Sequence, residues 1–166
     1  MRILAVIPLL LVAACGGTAE GEPKDKAKLA VAKQLEPGQW ETIAEVTQLS
    51  QMDEGKPAIA TPAGTRTTAN ACIGEADVRK PAPVLFTTAK DDACDYKDMY
   101  MSNGRFNGSI ACTRKGLSGE VLTRVEGKFT GDSFEGTTVA RTYLASEGDV
   151  KISSKLTARR LGACTA

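Results

Sequence analysis

From Leu35 to the carboxyl terminus, apolar and polar residues alternate with a period of two, and turn residues break the alternation at short intervals. No stretch keeps helical spacing for more than two turns, so the pattern points to strands with one buried face. The expected strands are 39–49, 65–72, 94–101, 105–112, 119–129, 134–143 and 150–160. Parallel pairing needs a crossover of a dozen or more residues, and only segment 73–93 is long enough to hold one. Within it, Glu75 to Lys80 precede Pro81 and Pro83, which predicts one short helical turn followed by extended chain. Asp53 to Gly64, with Gly55, Pro57, Pro62 and Gly64 as breakers, reads as a mobile loop.

Two hairpins can be placed in register. Ser102-Asn103-Gly104 fits a three-residue loop, a type I turn closed by a left-handed Gly104 with a bulge. That register pairs Tyr100 with Phe106, Tyr96 with Ile110, and Cys94 with Cys112. Residues 94 and 112 then form a non-hydrogen-bonded pair, where alpha carbons approach to about 4.5 Å, a geometry that suits a disulfide. Gly131-Asp132 fits a two-residue turn, which pairs Phe129 with Phe134, Gly127 with Gly136 and Val125 with Thr138. The fold expected is all-β, an antiparallel meander of about seven strands forming a curved sheet or lipocalin-like barrel, with one short helical turn.

Met1-Arg2 followed by the apolar run Ile3 to Val12 is a secretory signal, too short to span about 30 Å of hydrocarbon. It ends in Val12-Ala13-Ala14-Cys15, which resembles the lipobox of bacterial lipoproteins. The resemblance implies cleavage after residue 14, a diacylglyceryl group on the Cys15 thiol and an acylated new amino terminus. Several acyl chains hold a protein to a membrane firmly, where one gives only marginal binding. Gly16 in place of Asp implies, by the same resemblance, the periplasmic face of the outer membrane in a Gram-negative cell. Residues 15–34 are rich in Gly, Glu, Lys, Asp and Ala without aromatics and read as a solvated tether. The remaining 35–166 form the β domain.

With Cys15 assigned, Cys72, Cys94, Cys112 and Cys164 remain, an even set in an oxidising compartment. The hairpin register selects Cys94 with Cys112, which leaves Cys72 with Cys164. The second bridge closes a loop of about 90 residues and is worth about 4–5 kcal/mol by chain entropy. It requires the last strand to return beside the first ones.

Composition excludes several classes. The formal net charge is +1, and loss of Arg2 with the signal leaves 20 basic and 20 acidic side chains, so nothing electrostatic favours nucleic acid. With no histidine, Ser-His-Asp and Cys-His couples and His-ligated zinc or haem are ruled out. Asp91, Asp92, Asp95 and Asp98 are the dense acids. With Lys90 and Lys97 among them they read as a solvated loop and strand edge, without the spacing of a calcium loop. Asn107-Gly108-Ser109 matches a glycosylation sequon, which carries little meaning in a bacterial lipoprotein. No cofactor or metal is expected. Trp40 reads as a core plug, and Tyr96 and Tyr100 as hairpin core.

The inward positions include Gly127, Gly136, Thr123, Thr138, Ala140 and Ser154 beside larger Val125, Phe129, Phe134 and Leu156. Small residues on a closed barrel would leave space for a small apolar ligand; otherwise they are close-packed against segment 73–93 or face solvent.

Leu35-Glu36-Pro37-Gly38-Gln39-Trp40-Glu41 opening a strand, Cys72-Ile73-Gly74 before a helical turn, Cys94 and Cys112 flanking a hairpin, the Gly127 to Gly136 strand pair and the closing Arg160-Leu161-Gly162-Ala163-Cys164 form an ordered set. Over about residues 35 to 166 this set resembles the domain of unknown function 3617 family. The resemblance implies a small exported protein of Gram-negative bacteria, in many members a lipoprotein, and supplies no catalytic residue. The sequence thus leads to a non-enzymatic, lipid-anchored envelope protein acting as an interaction or structural module. The alternative is a periplasmic carrier of a small apolar ligand.

Overall fold

The structure is a computed structural model that describes residues 34–164. The signal segment, Cys15 and the tether up to residue 33 lie outside the described residues. Seven strands follow the alternation: β1 (Gly38–Gln51), β2 (Arg66–Ile73), β3 (Ala93–Ser102), β4 (Arg105–Thr113), β5 (Gly119–Phe129), β6 (Ser133–Leu144) and β7 (Val150–Gly162). They form one antiparallel sheet in the order β2-β1-β7-β6-β5-β4-β3. The sheet curls into a half-barrel. β2 and β3 are its two edges, and they do not pair, so the curved-sheet alternative holds and the closed barrel does not.

Because β2 and β3 lie at opposite edges, the chain between them must cross the concave face. It does so with two tight turns, Asp77 N–H to Gly74 O at 3.0 Å and Lys80 N–H to Asp77 O at 2.9 Å, and then a single helical turn, α1 (Val84–Thr87). The sequence placed that turn before the prolines; it lies after them. Pro83 opens it with φ −53°, since proline has a preset helical φ and lacks only an N–H that a first turn leaves unpaired. α1 delivers Leu85 and Phe86, both fully buried, into the concavity.

Phe86 is the centre of an aromatic cluster. Its ring centroid lies 5.1 Å from Phe134 and 5.3 Å from Phe106, with Phe106 and Phe134 edge to face at 5.6 Å. Trp40 stacks on Phe134 at 5.9 Å and Tyr96 meets Phe86 at 6.5 Å. The expected inward glycines explain how the rings fit. A Cβ at Gly127 or Gly136 would stand 2.5 or 2.9 Å from the Phe106 ring, so the paired glycines form a hollow that Phe106 fills. At this end the small residues make room for an aromatic ring of the chain itself.

The second hairpin has the expected pairs Phe129–Phe134, Gly127–Gly136 and Val125–Thr138. The first departs from expectation twice. Asn103 and Gly104 both have positive φ, 52° and 70°, the geometry of a two-residue type I′ turn, which an Asn-Gly pair favours. Phe106 therefore opposes Met101, and Tyr100 opposes Asn107. A β-bulge between Tyr96 and Asp98 then adds one residue to β3 and restores the expected pairs Tyr96–Ile110 and Cys94–Cys112. The bulge reverses which residues face inward, so Met99 and Met101 pack on the core while Tyr100 is exposed.

Both disulfides are formed, Cys94–Cys112 with alpha carbons 4.0 Å apart and Cys72–Cys164 with 5.5 Å. The second steps across the start of β1, where Gln39 lies between Cys72 on β2 and Gly162 on β7. The loop 53–64 is held at several points. Asp53 accepts from Asp149 N–H at 3.0 Å, Gln51 Nε2 donates to Gly55 O at 2.7 Å, and Pro57 bridges to Gly148.

Phe86→Ala should cost about 3–5 kcal/mol in urea unfolding, the usual loss for emptying an aromatic core position. Tyr96 gives a pH signature. Its hydroxyl donates to Pro81 O at 2.6 Å, and burial pushes the phenol pKa up from the ordinary 10.0. The unfolded chain gives up this proton first, so stability falls as pH rises from about 10. Tyr96→Phe should show a shallower decline above that pH in denaturant titrations; an unchanged slope would refute the assignment.

Candidate functional site

The open side of the half-barrel carries the candidate site. Between the β2 edge and the end of β4, an open vestibule of about 650 Å³ is bounded by Thr67, Thr68, the segment Thr88 to Asp92, and Arg114 with Lys115. It leads into a smaller recess of about 180 Å³ over the concave face, away from the aromatic cluster. The two spaces share Thr67, Thr88, Ala89, Asp92 and Arg114, which form the neck.

The neck is built by short-range chemistry. Thr88 ends α1 in the left-handed conformation, φ 53° and ψ 14°, which is unfavourable for a β-branched residue. Its N–H bonds Val84 O at 2.8 Å, and its hydroxyl donates to Thr87 O at 2.8 Å and shares a 2.7 Å hydrogen bond with the Thr67 hydroxyl. The β2 edge is thereby linked to the crossover. Opposite, Arg114 reaches Asp92 through two bonds, Nε to Oδ1 at 2.8 Å and Nη2 to Oδ2 at 3.0 Å. The Asp92 side chain is only 4% exposed and that of Arg114 42%. The bond from Asp92 raises the guanidinium pKa further above its already high ordinary value. The sequence placed Asp92 in a solvated cluster; it is a buried partner instead. The missed signal lay in the cysteines, because extending the Cys94–Cys112 register by two residues sets Asp92 against Arg114.

Inside, the recess is lined by Ala44, Val46, Val121, Ala140 and Ile152, and by hydroxyls from four strands. Thr142 is 1% exposed and fully engaged, donating to Asp149 Oδ1 at 2.9 Å and accepting from Val150 N–H at 2.7 Å. Thr123, Thr138 and Ser154 are 4%, 6% and 9% exposed and line the same space. Thr138 stands directly opposite Ser154, and Thr123 is a diagonal step away on β5. These three were expected on the inner face, and the structure brings them together with Ala140.

The other expected residues divide by location. Cys112 lines the recess, Cys94 packs on the core, and Cys72 and Cys164 lie on the exterior. Trp40 is fully buried and bonds Glu36 O through Nε1 at 3.1 Å. Asp91, Asp95 and Asp98 are exposed. Among the described residues no three Cys, Asp or Glu side chains converge as a metal site.

Residues 35–164 match the family described as protein of unknown function (DUF3617), and the chain belongs to that family. The chain matches no curated protein and no solved structure.

The two kinds of ion pair should behave differently. Arg114→Ala strands a buried carboxylate and is expected to cost about 1.5–3 kcal/mol. Arg66→Ala breaks the exposed pair with Glu45, at 2.8 Å with side chains 70% and 42% exposed, and should cost under about 1 kcal/mol. Chemical denaturation of both variants at low and high salt checks this, and only the Arg66 effect should fade with salt.

Proposed function

We propose that this DUF3617 protein is an exported lipoprotein, acylated at Cys15 and held at the periplasmic face of the outer membrane, where it acts as a non-enzymatic interaction module. The anchor rests on the Val12-Ala13-Ala14-Cys15-Gly16 sequence, and two disulfides fit an oxidising compartment.

The observation that carries the interaction reading is the contrast between the two sheet edges. β3 carries Asp95, Lys97 and Asp98 and is broken by a bulge, which are devices that discourage strand addition. β2 pairs with β1 in unbroken register from Arg66 to Ile73 and has no charge after Arg66. Among the described residues, no backbone hydrogen bond reaches β2 from its outer side. The vestibule leaves room beside Thr67 and Thr68. Such an edge suits an extended segment of a partner protein, which gains main-chain bonds by adding as a strand. A carrier of an apolar molecule has less support. The aromatic cluster fills one end of the concavity, and the recess at the other end is small and rich in hydroxyls.

The test is photo-crosslinking in intact cells from Thr68 and Asn70, with Glu126 on β5 as control. Adducts from 68 and 70 that map to one segment of one envelope protein are expected, and Cys15→Ser should move the protein out of the membrane fraction and reduce them. Adducts no more frequent than from position 126, or turnover of a substrate by the purified protein, would overturn the reading.

A further inference from the structure

We propose that the recess is a binding site for a small organic anion bearing one ring-sized group that forms hydrogen bonds. The group enters the recess and meets the Thr123, Thr138 and Ser154 hydroxyls, and the anionic end stays in the vestibule with Lys90 and Lys115. The vestibule borders the β2 edge at Thr67 and Thr68, but ligand binding needs no partner strand and strand addition needs no ligand, so either can fail without the other.

The hydroxyls carry the argument. Each belongs to a residue more than nine-tenths buried, and none makes a hydrogen bond to another described residue, whereas Thr142 on the same wall is bonded twice. Their oxygens open onto the recess and keep unused hydrogen-bonding capacity there, whereas Thr42 Oγ1, outside the recess, is the fully buried polar side-chain atom without a partner among the described residues. Three such hydroxyls side by side, facing the recess with no partner among the described residues, suit an occupant that bonds them.

Size and shape narrow that occupant. At about 30 Å³ per molecule the recess of about 180 Å³ holds roughly six waters, and a cavity of about 150 Å³ admits a six-membered ring. The space cannot collapse, because its floor is four hydrogen-bonded strands. Its walls at Ala44, Val46 and Ala140 are apolar, so the group has an apolar body and a polar tip.

The neck and mouth supply the rest. Thr88 holds a left-handed conformation that is unfavourable for a β-branched residue, and strain of this kind gathers where a ligand is clamped. In the vestibule Asp92 and Arg114 neutralise each other. Lys90 and Lys115 take part in no ion pair among the described residues, against the single acid Asp91.

The probe is 4-hydroxybenzoate, with uncharged 4-hydroxybenzyl alcohol as control, titrated into the full chain carrying Cys15→Ser and followed by amide and methyl NMR shifts. Saturable shifts at Thr123, Thr138 and Ser154 are expected, with weaker binding of the alcohol. Thr138→Val should weaken 4-hydroxybenzoate by up to about tenfold, the equivalent of one hydrogen bond, without lowering thermal stability. Should that variant fail to fold, Ser154→Ala makes the same test. Lys90→Ala with Lys115→Ala should remove the preference for the anion. Absence of shifts at millimolar probe, or equal binding by wild type and Thr138→Val, would overturn the proposal.

Discussion

The structure depends on Phe86 being carried beneath the sheet. The strand order puts β2 and β3 at opposite edges, so the chain joining them has to cross the concave face, and whatever it carries becomes core. It carries Leu85 and Phe86, and Phe86 stacks against Phe134 and tilts against Phe106. Phe106 in turn occupies the hollow left by Gly127 and Gly136. A chain with 5% aromatic residues thus concentrates most of them at one end of a half-barrel. The other end, which α1 meets only with Thr87 and its cap Thr88, keeps small residues and hydroxyls around open space.

A second constraint ties the two ends of the domain together. Leu35 is fully buried and donates its N–H to Val78 O at 3.2 Å, while Glu36 N–H bonds Gly131 O at 2.7 Å. Arg160 Nε reaches Pro37 O at 2.7 Å. Gly38, with φ +147°, lies so close to Gly162 O and Arg160 that a Cβ there would collide with both. The opening Leu35 to Trp40 run and the closing Arg160 to Cys164 run are therefore two halves of one contact, which the Cys72–Cys164 bridge fastens.

The strands were legible because alternation and turn residues are local signals. The second hairpin was legible for the same reason, whereas the Cys94–Cys112 pair came out as expected because two departures from the expected register cancel. The first hairpin shows where local reasoning runs out. The tighter Asn103-Gly104 turn moves the register by one residue and the bulge at Lys97 moves it back. Pairs beyond the bulge were therefore right and those before it wrong, and Tyr100 faced outward where core was expected. Asp92 shows a different limit. As a member of an acidic run it looked solvated, and only its place across from Arg114 makes it a buried ion pair.

By itself the sequence determined the fold class and the strand boundaries to within one or two residues, because period and turn chemistry act over short distances along the chain, and an even cysteine count gave Cys72–Cys164 as the pair left once Cys94 was set against Cys112. It named Thr123, Thr138 and Ser154 as inward-facing but could not say whether the space above them was filled. Only the tertiary structure decided that, because the answer depends on how far one helical turn reaches across a curled sheet. Phe86 reaches the glycine end and stops there. The curl that leaves β2 and β3 unpaired is likewise a property of the whole sheet, and it creates both the free edge and the recess.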